Sequence, residues 1–254
     1  MALSTAEPLV ICHLYPLEMN IYGDHGNVQV LVRRCELRGI PVRVEAYHPR
    51  AAFPARVDLL VGGGGQDSGQ VRVKDDLPRV AGQLRELVAS GVPALVVCGT
   101  YQLFGKRFIT VAGEDIEGIG VFDLHTVGGA ERMIGNIAIE TSKFGTVIGY
   151  ENHSGATLLG VGAQPFGTVT SGMGNNGDDG TEGVFSHNAI GTYLHGPLLP
   201  KNPRVADFLI AAALARRSNA LGDGPGELAQ ELAPLDELDA LAERARAVAL
   251  TRPR

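Results

Sequence analysis

The fold is set by the stretch Val92-Pro93-Ala94-Leu95-Val96-Val97-Cys98-Gly99-Thr100-Tyr101-Gln102. Its short apolar run, rich in valine, predicts a buried parallel strand. The strand ends at Cys98, and the residues from Thr100 onward can open a helix. A cysteine on such a turn lies at the carboxyl end of the sheet, where open α/β sheets bind ligands and a helix N-terminus favours the thiolate. The alternative is an inert cysteine inside a core strand.

Strands alternate with helices along the first hundred residues. Apolar strands are predicted at residues 9–15, 42–47 and 57–61, and helices at 27–38 and from Asp75 or Asp76 to about Ser90. This order predicts a parallel sheet with right-handed crossovers. The expected architecture is an α/β fold of three layers, with a mostly parallel central sheet flanked by helices.

The pattern changes after Gly105. Shorter strands separated by glycine turns are predicted at residues 118–127, 133–140, 145–150, 167–171 and 184–194. The glycine-rich residues 172–180 predict a flexible loop.

The C-terminal part predicts helices. Pro203 can occupy the first turn of a helix that runs to about Arg217. Residues 222–226 predict a hinge, and an amphipathic stripe follows at Leu235, Leu238, Leu241, Ala245 and Val248. We therefore divide the chain into an N-terminal extension (1–8), one domain (9–217), and a linker with a helical tail (218–254).

Composition excludes several classes of function. The chain has 254 residues, 44% of them hydrophobic, with a net charge of -6 and no basic stripe, so nucleic acid is not an expected partner. Its three cysteines lack pairing or zinc-ligand spacing, which indicates a reducing compartment and no structural metal. We find no signal peptide and no apolar run long enough to span a membrane, so we predict a cytoplasmic protein without membrane insertion.

A run of four glycines at residues 62–65 follows a predicted strand, as a phosphate-binding loop would. The expected Gly-Lys-Ser/Thr does not follow, so a nucleotide cofactor is not predicted. Exposed N–H groups of such glycines can instead stabilise an oxyanion. The alternative is an ordinary surface turn.

Cys98 needs a base, and the chain has seven histidines. His195 follows an apolar strand and precedes Gly196-Pro197, which predicts a position at the sheet edge near Cys98. His153 is expected on a turn and His187 on the surface.

Two motifs together resemble those of a known family. Cys98-Gly99-Thr100-Tyr101-Gln102 and Tyr193-Leu194-His195-Gly196 resemble the Cys-Gly-x-x-Gln and Tyr-x-His-Gly motifs of CobB/CobQ-like class I glutamine amidotransferases. Motifs at residues 20–27, 63–67, 132–136 and 149–153 narrow the resemblance to amidotransferase subunits that work on lipid II with a Mur-ligase-like partner. The resemblance extends over about residues 9–215 and leaves the tail without a counterpart.

The resemblance implies a role for each matching residue. Cys98 is the nucleophile and His195 the general base, then acid. Arg132 binds the α-carboxylate of the substrate glutamine, although as a single residue it also fits a solvated charge at a strand start. Gln102 faces the pocket, unless it is merely an exposed helix residue. The oxyanion candidates are the N–H groups of Gly64, Gly65 and Thr100. No cofactor or metal is implied.

One departure concerns the acid that orients the histidine. Many class I amidotransferases have glutamate two residues after the histidine, where this chain has Pro197. Asp24, Glu151 or a carboxylate of the partner subunit remain as alternatives. Since an imidazole without an orienting acid is a poor base, we expect weak glutamine hydrolysis without the partner.

The resemblance implies that L-glutamine is hydrolysed and that its ammonia passes to the Mur-ligase-like partner in a heterodimer. The partner would amidate the D-glutamate α-carboxylate of the lipid II stem peptide. Two alternatives remain. One is an amidotransferase of corrinoids, which normally has a fused ATP-binding domain. The other is a catalytically inert scaffold that binds a partner.

Overall fold

Two six-stranded sheets organise the chain in the computed structural model, which describes residues 7–65, 67–220 and 232–252. The strands are β1 (Leu9–Leu14), β2 (Val42–Tyr47), β3 (Leu59–Gly62), β4 (Ala94–Val97), β5 (Arg107–Ile109), β6 (Asp115–Glu117), β7 (Leu124–Thr141), β8 (Gly145–Leu159), β9 (Gly167–Ser171), β10 (Thr181–Glu182), β11 (Val184–Ser186) and β12 (Ala189–Thr192). The helices are α1 (His25–Leu37), α2 (Asp67–Lys74), α3 (Leu77–Ala89), α4 (Gly99–Phe104), α5 (Pro203–Ala220) and α6 (Asp236–Leu250), with 3-10 turns at Ile21–Gly23 and Leu199–Lys201.

The first sheet is the predicted parallel one. Its order is β11-β12-β4-β3-β1-β2, and all neighbours are parallel except β11 and β12. Strands β1, β3, β4 and β12 are buried along their whole length, as expected for strands covered on both faces. The α/β fold with flanking helices is confirmed.

The helices cover this sheet through apolar stripes. The connections β1–α1–β2 and β3–α3–β4 run in opposite directions along the sheet, so right-handed crossovers place α1 and α3 on opposite faces. The inward residues of α3 recur at helical spacing: Leu77, Val80, Ala81, Leu84 and Val88. Helix α5 packs against α1 and β3.

The second sheet is built on the long hairpin of β7 and β8 and was not predicted in this form. The two strands predicted at 118–127 and 133–140 form the single strand β7, whose register shifts between Gly128 and Met133. The strand predicted at 145–150 extends to Leu159. Glycines that resemble turns in the sequence lie within a bulged ladder here.

Other expectations also need correction. The predicted strand 184–194 is a hairpin of β11 and β12 that turns at His187, whose φ is 56°. Helix α2 and strands β5 and β6 were not predicted. Residues 222–226, the predicted hinge, lie outside the described residues.

Helix α6 buries only part of its predicted apolar stripe. Its buried residue is Ala242, whereas the side chains of Leu241 and Val248 are 53% and 54% exposed. Leu235 and Leu238 are half-buried, and polar contacts of Asp239 and Arg246 attach the helix to the domain. Among the described residues, no helix combines the length and apolar character needed to cross a membrane.

Candidate active site

Four loops meet at the carboxyl edge of the parallel sheet. Asp24 lies beyond β1, the glycine run 62–65 follows β3, Cys98 ends β4, and His195 follows β12. These strands are neighbours, and the strand order reverses between β1 and β3. Such a reversal opens a crevice in α/β sheets, so the predicted site is at the place the topology favours.

Cys98 occupies a strained turn between β4 and α4. Its backbone has φ 48° and ψ -107°, a region that side chains rarely adopt. Its N–H donates to Thr192 O (2.8 Å), and its carbonyl accepts from Gln102 N (2.9 Å). This strand-to-helix elbow projects the thiol into a pocket, as in enzymes with a nucleophile on such a turn.

The other two cysteines lie in different surroundings. Cys12 in β1 and Cys35 in α1 are completely buried. Burial raises the pKa of both thiols to about 12, which keeps them neutral and unreactive. Cys98 is 7% exposed and lines the pocket.

His195 is held by Asp24 behind the cysteine. Its Nδ1 lies 3.2 Å from both carboxylate oxygens of Asp24, and the two side chains are 0% and 1% exposed. An Nδ1–H that donates to Asp24 leaves the lone pair on Nε2. Of the acids left open by the sequence, Asp24 is therefore the one that contacts His195. Glu151 accepts instead from the N–H groups of Met173 and Gly174.

The pKa of His195 is raised. Burial alone would lower it, but the negative charge of a Cys98 thiolate and the hydrogen bond with Asp24 raise it to about 10. The imidazolium form of His195 is therefore favoured when the thiolate is present.

The absence of a side chain at Gly64 leaves space for His195 and Asp24. A Cβ at Gly64 would lie 2.6 Å from Cε1 of His195 and 3.1 Å from Oδ2 of Asp24. The Gly64 N–H donates to that same oxygen of Asp24 (2.7 Å). Its amide is thus already engaged, and Gly64 supports the acid instead of facing the pocket as an oxyanion donor.

The remaining predicted oxyanion donors are Gly65, which lines the pocket with Cys98, and Thr100, two residues after the thiol. The N–H groups of Gly65 and Thr100 have no hydrogen-bond acceptor within the described part of the chain, and the Thr100 hydroxyl donates to Gly63 O (2.6 Å). A Cβ at Gly99 would lie 3.0 Å from Gly65 N, so the two loops touch. The Gly99 N–H, which the sequence reasoning missed, follows the nucleophile directly, where such elbows provide an oxyanion donor.

A pocket of about 370 Å³ opens above Cys98. Its lining residues are Ile21, Tyr22, Gly65, Gln70, Cys98, Gln102, Phe108, Val111, Gly128, Arg132, Asn152, His153, Ser154 and Gly155. The pocket therefore brings together residues of both sheets, and it contains Cys98, Gln102, Gly65 and Arg132 from the prediction.

Gln102 lines this pocket but is already hydrogen bonded. It is 5% exposed; its Oε1 accepts from Gln70 (2.6 Å) and its Nε2 donates to the Tyr193 hydroxyl (3.0 Å). Gln102 therefore fixes the pocket wall from α4 and ties it to the segment that carries His195.

Arg132 lies on β7 at the exposed side of the pocket. Its Nη2 and Nε donate to Oδ1 of Asn152 (2.6 and 3.2 Å). No carboxylate in the described ranges pairs with this guanidinium. It remains available to an anionic group that enters the pocket.

Two further pocket residues were not assigned a role from the sequence. The ring of His153 stacks on Tyr193 at 3.5 Å, and burial lowers its pKa to about 4, so it is neutral. The ring of Tyr22 packs edge-on against His195 at 4.9 Å, on a backbone with φ 60°. Both belong to the sequence motifs around residues 20–27 and 149–153, which was the signal available.

An elbow cysteine, a histidine and a carboxylate at the edge of a parallel sheet form an arrangement typical of class I glutamine amidotransferases. Residues 10–203 match the CobB/CobQ-like glutamine amidotransferase domain. The chain belongs to this family.

Known relatives agree with this assignment. The GatD subunit of lipid II isoglutaminyl synthase from Staphylococcus aureus (strain N315) is 39% identical over 210 residues, 82% of this chain and 86% of that protein. The GatD subunit from Streptococcus pneumoniae (strain ATCC BAA-255 / R6) is 37% identical over 212 residues, 82% of each. A probable cobyric acid synthase of Methanothermobacter thermautotrophicus is 32% identical over 130 residues, only 25% of its length.

Solved structures share the fold. A glutamine amidotransferase from Thermotoga maritima superimposes with a TM-score of 0.51 at 17% identity, covering 96% of this chain and 94% of that one. A chain of PurLQS from Thermotoga maritima gives a TM-score of 0.53 at 12% identity, covering 85% of this chain and all of that one. At these identities the likeness concerns the architecture alone.

Proposed function

We propose that this chain is a glutaminase subunit that hydrolyses L-glutamine to glutamate and ammonia. The observation that carries the proposal is Cys98 at the base of a pocket, with His195 and Asp24 behind it and Arg132 at its exposed side. These groups match the two ends of glutamine: an amide to be cleaved and an α-carboxylate to be held.

The first half-reaction forms a thioester. The Cys98 thiolate attacks the side-chain amide carbon, and the negative charge moves to the carbonyl oxygen. The N–H groups of Gly65, Thr100 and Gly99 stabilise that oxyanion. As the C–N bond breaks, the His195 imidazolium transfers its proton to the leaving nitrogen, which departs as ammonia.

The second half-reaction releases glutamate. The now neutral His195 removes a proton from water, and the resulting hydroxide attacks the thioester carbon. The C–S bond breaks, the thiolate returns, and His195 is again an imidazolium. Asp24 holds the ring in one tautomer and stabilises its positive charge through both steps.

The ammonia acceptor is inferred from the relatives. Because both GatD proteins are named as subunits of lipid II isoglutaminyl synthase, we infer that ammonia passes to a Mur-ligase-like subunit, MurT, in a cytoplasmic heterodimer. That partner would amidate the D-glutamate α-carboxylate of the lipid II stem peptide to D-isoglutamine. Lipid II is then reached through the partner, without membrane insertion of this chain.

The hydrolytic step is tested with the purified chain, with and without its partner. We expect release of glutamate and ammonia from glutamine, and stoichiometric labelling of Cys98 by diazo-oxo-norleucine, located by mass spectrometry. Labelling at Cys12 or Cys35, or turnover that survives Cys98→Ala, would contradict the mechanism.

The acceptor is tested by reconstitution with the ligase-like subunit, ATP and lipid II. Glutamine should support conversion of the acid to the amide by the wild-type complex, and ammonium salts alone should support it in the Cys98→Ala complex. Amidation of a corrinoid but not of lipid II would contradict this acceptor and support the alternative, a corrinoid amidotransferase.

A further inference from the structure

Helix α6 lies outside the region that matches the family, and several polar contacts attach it to the domain. Arg34 of α1, with a side chain only 3% exposed, pairs with Asp239 of α6 at 2.7 Å. Arg38 Nε donates to Ala233 O (2.7 Å) just before the helix. These contacts hold the first half of α6 against α1.

The second half of α6 is held by Arg246. Its Nη1 donates to Asn202 Oδ1 (2.8 Å) and to Lys201 O (3.1 Å), and its Nη2 donates to Thr146 O (2.7 Å). These acceptors belong to the start of β8 and to the segment that leads from His195 to α5. A planar guanidinium is suited to bridge several acceptors in fixed directions, whereas an ammonium is not.

Asn202 connects Arg246 to the loop that follows His195. It is 3% exposed, and its side chain bonds both Ile148 N (3.0 Å) and Ile148 O (2.8 Å) in β8. Its Nδ2 also donates to Leu198 O (2.7 Å). One buried amide therefore ties the loop after His195 to β8.

His195 is attached to the same strand. Its N–H donates to Tyr150 O (2.8 Å), and its carbonyl accepts from Tyr150 N (3.2 Å). The loop after His195 is also closed internally, since Lys201 Nζ donates to Gly196 O (3.0 Å). Residues 195–202 thus form a short segment fixed to β8 at both ends, and Arg246 bonds to its distal end.

We propose that Arg246 is a positioning residue: from α6 it fixes Asn202 and Lys201, and through them the segment that sets the ring of His195. The proposal rests on the glutaminase function proposed above. Arg132, Tyr22 and the Cys98 elbow belong to other elements. Loosening the segment should therefore disturb proton transfer while glutamine still binds.

The test compares variants in the full chain. Arg246→Ala should lower kcat for glutamine hydrolysis by about fivefold or more with KM unchanged, since small misplacements of a catalytic group are costly. Arg246→Lys should recover part of the loss. The matched control is Arg244→Ala, which removes an exposed arginine of the same helix and should leave kcat unchanged.

Two further measurements separate positioning from general attachment of the helix. Asp239→Asn weakens the other end of α6, and we expect its kcat to stay near that of the wild type. The pH profile of Cys98 alkylation by iodoacetamide reports the thiol–imidazole pair and should change in Arg246→Ala but not in Arg244→Ala.

Each contrary outcome overturns the proposal. Wild-type kcat and a wild-type alkylation profile in Arg246→Ala would show that the contact does not reach His195. An equal loss in Asp239→Asn would show that docking of α6 matters and that Arg246 has no specific role. If the wild-type chain and its complex hydrolyse no glutamine, the proposed function itself fails.

Discussion

The two sheets share one pocket but hold their residues in different ways. At the edge of the parallel sheet, Asp24 and His195 are buried and fixed by close contacts, including the backbone of Gly64. On the second sheet, Arg132 is exposed and bonds only to Asn152 among the described residues. The comparison teaches that the residues proposed to break the amide bond are held in place away from water. Arg132, which is proposed to bind the charged end of the ligand, stays accessible to solvent.

The largest effect should come from the nucleophile on the parallel sheet. Cys98→Ala should lower kcat by about 10⁴-fold or more, because no other group can form the thioester. Cys12→Ala, in strand β1 of the same sheet, should keep kcat, although it costs stability through a small cavity. Steady-state glutamate release and thermal unfolding of both variants check this, and substantial turnover in Cys98→Ala would refute it.

The next effect concerns the acid of the same sheet. Asp24→Asn should lower kcat by about 10²–10⁴-fold, because the ring loses its fixed tautomer. A matched control is Asp76→Asn, which alters another buried carboxylate, one that accepts from Tyr15 and Tyr47 away from the pocket. It should reduce the melting temperature and leave kcat unchanged.

The variant Asp24→Asn also tests whether the partner subunit supplies the carboxylate that orients His195. The expectation of weak hydrolysis by the isolated chain relied on Pro197 replacing the usual acid, and the contact with Asp24 removes that reason. If Asp24→Asn retains full activity in the complex, the orienting carboxylate comes from the partner.

A smaller effect is expected on the second sheet. Arg132→Ala should raise KM for glutamine about 10–100-fold, because each lost charge-assisted contact is worth about 1.5–3 kcal/mol. Arg132→Lys should recover little, since lysine cannot bind a carboxylate with two parallel donors. Arg107→Ala removes another exposed arginine of the second sheet, one that pairs with Asp115, and should leave KM unchanged. A normal KM and kcat in Arg132→Ala would contradict the assignment.

The smallest effect concerns Glu182 of β10, which joins the two sheets. Its carboxylate accepts from Tyr193 N (2.6 Å) and from the Thr192 hydroxyl (3.0 Å), at the end of β12. Burial raises its pKa from 4.5 to about 8, against the lowering effect of these hydrogen bonds. The folded state therefore binds a proton that the unfolded chain has lost between these two values.

The sign of the pH effect follows. A group whose pKa is raised on folding contributes stability below its unfolded pKa, here 4.5, and loses it as pH rises through its folded pKa, about 8. Glu182→Gln cannot ionise, so its free energy of unfolding should fall less steeply than that of the wild type between pH 5 and 8, by up to about 1.4 kcal/mol per pH unit. Urea unfolding across this range measures it, and identical slopes would show that Glu182 does not titrate there.

The sequence predicts the parallel sheet well because burial on both faces demands continuous apolar runs. Residues 9–14 and the strand before Cys98 show this directly. The second sheet is harder, because β7 and β8 are partly exposed and contain glycines that resemble turns. Its bulge between Gly128 and Met133 depends on pairing with β8, which a local pattern does not contain.

The same limit applies to the site. Cys98, His195 and Arg132 carry local motifs; the structure places Cys98 and His195 at the edge of the parallel sheet and Arg132 on the second sheet, across the pocket from them. Asp24 is 171 residues from His195 in sequence, so only the fold selects it over Glu151. Gly64 was predicted as an oxyanion donor, but its N–H donates to Asp24 in the structure. The orientation of α6 depends on arginines of distant elements and could not be read from its own stripe.

The backbone conformation of Cys98 has a consequence for the stability of the fold. A left-handed conformation at a residue with a side chain costs about 1–3 kcal/mol, whereas glycine adopts it without steric cost. Cys98→Gly would therefore relax the elbow while removing the only sulfur that reaches the pocket among the described residues. At this one residue, the change that would stabilise the fold is also the change that would remove the proposed nucleophile.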